Sequence, residues 1–411
     1  MGAKGNARQA IFHSLMAMGV AVLAGCSPIQ IGSRVIDFSG EVGAPAQTAP
    51  LSPAQPAPIA TSQPSQRFGR GAVPVALLLP LSGSSEAARI GSSMANASRM
   101  AMGFIEASAS IGDNIHITLR DTGGTPQGAS AAAQAAVQEG ARLILGPLGS
   151  AEMQAAGTVA RGAGVPLIGF AQTSTATGAG LYLLGVLPEG EMKRTIGWAK
   201  AQGLRGLAGA FPANEAGQAQ QTAFRQQAIA AGFSPQAVYT FSGAGEASQI
   251  VAQALPDMQR GMIDALFLPD RASAPAFGAA LAAAGVKDVQ IIGSADWDND
   301  PAILNSAALA GAVYAAPDPA GMNAIRADYQ RQFGAAPHPM ATIAYTATIL
   351  ANVNTLSLAN PPYRSAALTN PQGFNGRDGL FRFQANGRSD YALVLKRVAP
   401  GGAQMVEGAG F

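Results

Sequence analysis

The chain has 411 residues, and its 26 Lys and Arg against 24 Asp and Glu give a formal net charge of +2. A balance this close supplies no footprint for nucleic acid, whose phosphates are bound by clustered Lys and Arg. Hydrophobic residues at 48% and charged ones at 12% provide the apolar surface for one large or two medium domains, and the single cysteine excludes an intrachain disulfide or a cysteine-based zinc site.

The start reads as an export signal. Lys4 and Arg8 precede Ile11 to Ala24, an apolar run broken only by His13 and Ser14. That run is shorter than the roughly 20 residues a membrane-spanning helix needs, and small residues follow it. Leu23-Ala24-Gly25-Cys26 resembles the lipobox of bacterial lipoproteins. The resemblance implies that residues 1–25 are removed and that Cys26 carries the lipid. Ser27, in place of an aspartate, then implies the periplasmic side of the outer membrane. Removing Lys4 and Arg8 leaves 24 basic against 24 acidic residues, a formally neutral mature chain.

From Gly43 to Gln66 the chain holds six prolines and no charge. Proline fixes φ and donates no backbone hydrogen bond, so residues 26–71 are expected to form the anchor and an extended tether. At ~3.1 Å per residue the Pro-rich part reaches ~75 Å.

Beyond residue 71, strand and helix signals alternate. VPVALLLP (73–80) is an apolar run closed by Pro80, and Met94, Ala97, Ala101, Phe104 and Ile105 recur at helical spacing over 86–108. IHITLRD (115–121), a helix from 127, ARLILGP (141–147), a helix from 150, VPLIGFA (165–171) and YLLGVLP (182–188) follow. The pattern then restarts with helices predicted over 189–202, 215–231, 247–260 and 272–284, interleaved with strands over 205–211, 236–241, 263–269, 289–293 and 311–317. Apolar strands joined by helices imply parallel sheets covered on both faces. Helical patterns over 319–333 and 340–358 come next. A strand pair is predicted over 379–398, turning near Asn386-Gly387.

VALLLPLSG, LRDTGGTPQGA, LILGPLGS, VPLIGFAQTST and the Pro-Glu-containing helix start within Gly185 to Lys193 together resemble the type I periplasmic binding fold, in particular the leucine/isoleucine/valine-binding family. The resemblance spans about 72 to 398. It implies an α/β chain of two doubly wound parallel-sheet lobes joined by three crossovers. The first lobe is expected at 72–187 plus 318–358 and the second at 188–317 plus 359–411, closing on a ligand by hinge bending.

Ligands of open α/β sheets sit at the C-terminal ends of strands, where helix N-termini offer free N–H groups. Ser82 and Gly83 follow the first strand, Ser150 the third, and Thr173 and Ser174 the fourth. Donors of this kind suit a carboxylate, and the resemblance implies the α-carboxylate of an amino acid. In the second lobe Asp296 is placed to pair an ammonium and Trp297 to wall the site. Ser150 equally fits a helix cap, and Asp296 the cap of the next helix. Amino-acid binders of this family usually carry an aromatic-Gly pair where this chain has Asn214-Glu215-Ala216-Gly217.

Phe267-Leu268-Pro269, Trp297-Asp298, Gly311 to Pro317 and the stretch from Ala344-Tyr345 resemble the C-terminal domain of penicillin-binding protein activators, outer-membrane lipoproteins that contact a peptidoglycan synthase; Thr346 stands where that pattern commonly has Asp. Catalysis is not expected. Asp121-Thr122-Gly123 copies one half of an aspartic-protease dyad but occurs once, and no S-x-x-K, H-E-x-x-H or GxxxxGK[ST] is present. No metal or cofactor is expected. The sequence therefore points first to a non-enzymatic lipoprotein that regulates wall synthesis by touching a peptidoglycan synthase. The alternative is a substrate-binding lipoprotein that delivers an amino acid or similar small molecule to an ABC permease.

Overall fold

The computed structural model describes residues 30–31, 34–35, 65–171, 177–235 and 237–411. It forms two units, 1–61 and 62–411. In the first, β1 (Gln30–Ile31) and β2 (Arg34–Val35) pair antiparallel. Cys26 and most of the Pro-rich stretch lie outside the described residues.

The second unit begins with β3 (Gln66–Phe68), β4 (Val73–Leu79), α1 (Glu86–Ala107), β5 (Ile115–Asp121), α2 (Pro126–Gln138), β6 (Leu143–Leu145), α3 (Ser150–Gly162), β7 (Leu167–Gly169) and β8 (Leu181–Leu183). The strands form one sheet in the order β3-β5-β4-β6-β7-β8, parallel except for β3 at the edge. β4 carries apolar residues throughout because both its faces are covered, and Val75 to Leu79 are buried. The helices start where side chains replace missing partners: Ser85 Oγ accepts from Ala88 N, and Thr125 Oγ1 from Gly128 N ahead of Pro126. α1 buries Met94, Ala97, Ala101 and Ile105 as its spacing predicts. Phe104 departs from that stripe and is 48% exposed.

The chain then builds α4 (Pro188–Ala201), β9 (Leu207–Pro212), α5 (Glu215–Ala230), β10 (Ala237–Phe241), α6 (Ala247–Gln259), β11 (Ala265–Phe267), α7 (Ala274–Ala283), β12 (Gln290–Ile292), α8 (Pro301–Leu304) and β13 (Val313–Ala316). It returns through α9 (Pro319–Phe333), α10 (Ala341–Asn352), α11 (Asn354–Ser357), α12 (Ser365–Leu368) and a small antiparallel sheet of β14 (Phe374–Gly376), β15 (Gly379–Phe383) and β16 (Ser389–Tyr391). β17 (Leu393–Ala399) and β18 (Gly402–Gly410) finish it. The second large sheet runs β10-β9-β11-β12-β13-β17-β18, with its last two strands antiparallel. α10 packs on α1, where Ser98 and Thr348 share a buried hydroxyl hydrogen bond of 2.7 Å. The chain thus passes between the two halves three times, after β8, after β13 and after β16: an α/β fold of two parallel-sheet lobes.

Two boundaries differ from those read in the sequence. Gln66–Phe68, assigned to the tether, is a strand on β5, and Gly71 N donates to Ile115 O at 3.0 Å, so the folded body starts earlier. Residues 359–391, assigned with the second sheet, pack on the first. Tyr182 Oη bonds Ser365 Oγ at 2.9 Å, Leu183 N donates to Gly387 O at 2.8 Å and Ser389 Oγ to Gly185 O at 2.5 Å. The strand pair with its turn at Asn386-Gly387 forms as β15 and β16, whereas 393–399 leaves it to join β13. α4 and β16 are clasped by Lys193 on Asp390 at 3.2 Å and Arg388 on Glu189 at 3.3 Å. Among the described residues no helix is long and apolar enough to cross a membrane.

Candidate functional site at the strand ends

At the C-terminal end of the first sheet, the residue that organises the loops is Asp121. Its Oδ1 accepts from Leu81 N and from Gly123 N, each at 2.8 Å, tying the turn after β4 to the turn after β5. Burial pushes this carboxyl up, but the Leu81, Gly123 and Ser82 donors outweigh it and hold it below the ordinary aspartate value. The single Asp-Thr-Gly therefore serves as a loop anchor. Ser82 and Gly83 stand exposed on the pinned turn, and Gly83 takes φ +85°, a conformation that disfavours any side chain.

After β6, Gly146 is required by close approach, since a Cβ there would meet Leu78 O at 2.1 Å. Gly149, not Ser150, is the N-cap of α3, and Ser150 is the helix's first residue, half-buried. Glu152 at the third helical position accepts from Thr122 Oγ1 at 2.7 Å and from Gly149 N, the back half of a capping box. Burial raises its carboxyl above the usual range. Thr173 and Ser174 lie outside the described residues.

The second sheet's strand ends are arranged differently. Asn214 Oδ1 accepts from Gly217 N at 2.8 Å and caps α5, so the position that departs from the aromatic-Gly pattern is used to start a helix. A Cβ at Gly217 would meet Pro212 O at 1.9 Å, which fixes the glycine. Ser294 Oγ donates to Pro269 O at 2.7 Å, and Ala295 N to Glu191 Oε2 at 2.8 Å. Glu191 is half-buried as a residue but its carboxyl is enclosed, and burial, with Asp296 and Glu189 adding, pushes it up to about 8.

Asp296 is exposed beside this group. Trp297 does not wall the site: its ring is fully buried, lying over Gly293 and against Tyr314 with ring centroids 6.2 Å apart. Asp298 is used as well, receiving Lys396 Nζ at 2.8 Å and Tyr314 Oη at 2.9 Å. Near the third passage, Thr346 Oγ1 accepts from Arg377 N at 2.8 Å, and the Arg377 guanidinium lies 4.6 Å from the Tyr345 ring centroid. Among the described residues no three His, Cys, Asp or Glu side chains are grouped to hold a metal.

The sequence reading missed two groups. Glu191 sat inside the quoted helix start, and its Pro-x-x-Glu spacing was the available signal. Asp378, buried beneath Thr342 with one unpartnered oxygen and pushed up to about 6 by that burial, carried no signal because its neighbours come from α10 and β16.

The sequence model described as periplasmic binding protein matches residues 72–391, and the chain belongs to that family. Solved structures agree in fold. A candidate branched-chain amino acid ABC transporter protein from Rhodospirillum rubrum is 21% identical with a TM-score of 0.70, over 82% of this chain and 100% of that one. An ABC transporter substrate-binding protein from Desulfitobacterium hafniense, in complex with Leu, is 16% identical with a TM-score of 0.61, over 81% and 99%. A leucine-, isoleucine-, valine-, threonine- and alanine-binding protein from Brucella ovis, in a closed conformation, is 18% identical with a TM-score of 0.60, over 82% and 94%. A comparison with curated proteins gave no match.

Proposed function

We propose that the protein is the ligand-capturing component of an ABC transporter, taking a small amino acid or related carboxylate between its lobes and presenting it to a permease. The observation that carries this reading is the pinned, exposed Ser82–Gly83 turn within a family match that covers both lobes. In this reading Ser82, Gly83 and Ser150, joined by Thr173 and Ser174, donate to the ligand's carboxylate. Asp296, exposed beside the raised Glu191, takes its ammonium. The family places the work outside the cytoplasm, and the lipid anchor at Cys26 belongs to the same proposal, resting on Leu23-Ala24-Gly25-Cys26.

Contact with a peptidoglycan synthase has less support. Three of the residues that carried that resemblance, Trp297, Asp298 and Tyr314, are occupied inside the second lobe. The neighbours reported above are transporter or amino-acid-binding proteins. A thermal-shift screen of the full chain against leucine, isoleucine, valine and benzoate tests the reading. A ligand at about 100 times its Kd adds ~2.7 kcal/mol of stability. Unchanged melting with every compound, together with stimulation of a purified synthase, would reverse the assignment.

A further inference from the structure

The first sheet holds a cavity at the opposite end of its strands from the Ser82–Gly83 turn. It is a half-open recess of about 260 Å³ between α2 and the starts of β4 and β5. Its origin lies in the alternation of β5. Ile115, Ile117 and Leu119 fill the core on one face, while His116, Thr118 and Arg120 point to the other, toward α2. A helix-covered strand face ordinarily carries large aliphatic side chains. Here the facing residues are polar or small, with Ala76 on β4 and Ala136 on α2, so the layers do not fill the space between them.

The polar groups around it are held in place. His116 is 9% exposed, and its Nδ1 lies 2.7 Å from Gly71 O. A carbonyl only accepts, so a proton sits on Nδ1, and in the ring that carries no second proton Nε2 is an acceptor. The buried Arg120 guanidinium pairs with Glu139, balancing that carboxylate, and its Nε has no partner. Arg67 on β3 stands across from Thr118, and β3 is itself fixed by Arg99, which bonds Gln66 and lies 5.6 Å from the Phe68 ring centroid. With Arg120 and Glu139 cancelling, Arg67 leaves one positive charge uncompensated at the cavity.

We infer that this cavity is a second ligand site, for a small carboxylic acid that also bears a hydroxyl or amino hydrogen. The Arg67 fork receives the carboxylate, His116 Nε2 accepts the hydrogen, and Ala76 and Ala136 form an apolar floor under the carbon chain. The lining mixes polar and small apolar groups about equally, which suits a small polar acid, and the volume falls just below the usual ~300 Å³ minimum of small-molecule sites, which limits the ligand to a few carbons. The site is distinct from the strand-end turns and does not depend on what they bind.

Saturation-transfer NMR on the full chain with glycolate, L-lactate and glycine as probes tests it. At least one probe receives saturation from the wild-type protein. Arg67→Ala, at an exposed position that leaves the fold intact, weakens that probe about tenfold by removing a charge-assisted fork. Ala136→Met, which fills the floor with a good helix former, abolishes it. The inference is overturned if no probe receives saturation, or if the signal survives both substitutions. Loss of the signal with Ser82→Ala would also overturn it, by placing the probe at the strand-end turns.

Discussion

The two lobes share an architecture but use their strand-end polar groups in opposite ways. In the first, one half-buried carboxylate, Asp121, gathers donors from Leu81, Ser82 and Gly123 and so fixes a turn on which Ser82 and Gly83 stand exposed. In the second, several polar groups bond within the lobe: Asn214 at a helix start, Ser294 to Pro269 O, Asp298 to Lys396 and Tyr314. Asp296 is exposed. The difference teaches that a fold-level rule locates a site at strand ends without saying which lobe supplies the groups; side-chain bookkeeping within each lobe decides that.

Substitutions that release groups from the second lobe break the comparison most severely. Trp297→Ala removes a fully buried indole packed on Gly293 and Tyr314, and is expected to cost about 3–5 kcal/mol, read by chemical denaturation. Lys396→Met leaves the half-buried Asp298 without its cation, with only the neutral donors Tyr314 Oη and Asn299 Nδ2, and a loss of about 3 kcal/mol is expected in the same measurement.

Glu191 sharpens the contrast through pH. Its folded carboxyl sits at about 8 against an ordinary value of 4.5, so the folded state holds a proton that the unfolded state has released. Wild-type stability should therefore fall as pH rises across that interval. Glu191→Gln, which keeps an oxygen for Ala295 N, should flatten this slope and melt higher than wild type at the alkaline end. In the first lobe the sign is reversed. Asp121 lies below its ordinary value, so its contribution is complete above that value and fades as pH falls through the lowered one. Asp121→Ala, which orphans Leu81 N and Gly123 N, should cost about 2 kcal/mol at neutral pH and weaken any carboxylate held by the Ser82 turn. The smallest effect belongs to Asn214→Ala, about 1 kcal/mol for a lost cap, with ligand affinity unchanged.

Much of the fold was legible because local signals agreed with it. VPVALLL has no polar residue to expose, and Ser85, Thr125 and Pro188 announce helix starts that the structure keeps. What was not legible depended on distant partners. Gln66–Phe68 is three residues directly after a Pro-rich stretch, and becomes a strand only because β5 offers its edge. β18 is rich in glycine and reads as a tail until β17 pairs with it. The small sheet over 374–391 has ordinary strand pattern, but its attachment to the first lobe runs through Gly185, Leu183 and Tyr182, about 200 residues upstream.

At the site, the sequence pointed to the Ser82–Gly83 turn, and the structure pins that turn in place. Trp297 was misjudged because an aromatic after a strand suggests a wall. The neighbouring Gly293, whose missing side chain makes room for the ring, is the residue that distinguishes a buried indole from an exposed one.

The stitching of β3 onto β5 has a mechanical meaning. Because Gln66 to Phe68 are hydrogen-bonded into the first sheet, any pull transmitted along the chain from residues before 65 enters there, at the rim of that sheet. The β9-to-β13 half joins that sheet through the three passages, through clasps such as Lys193 on Asp390 and through a shared apolar cluster.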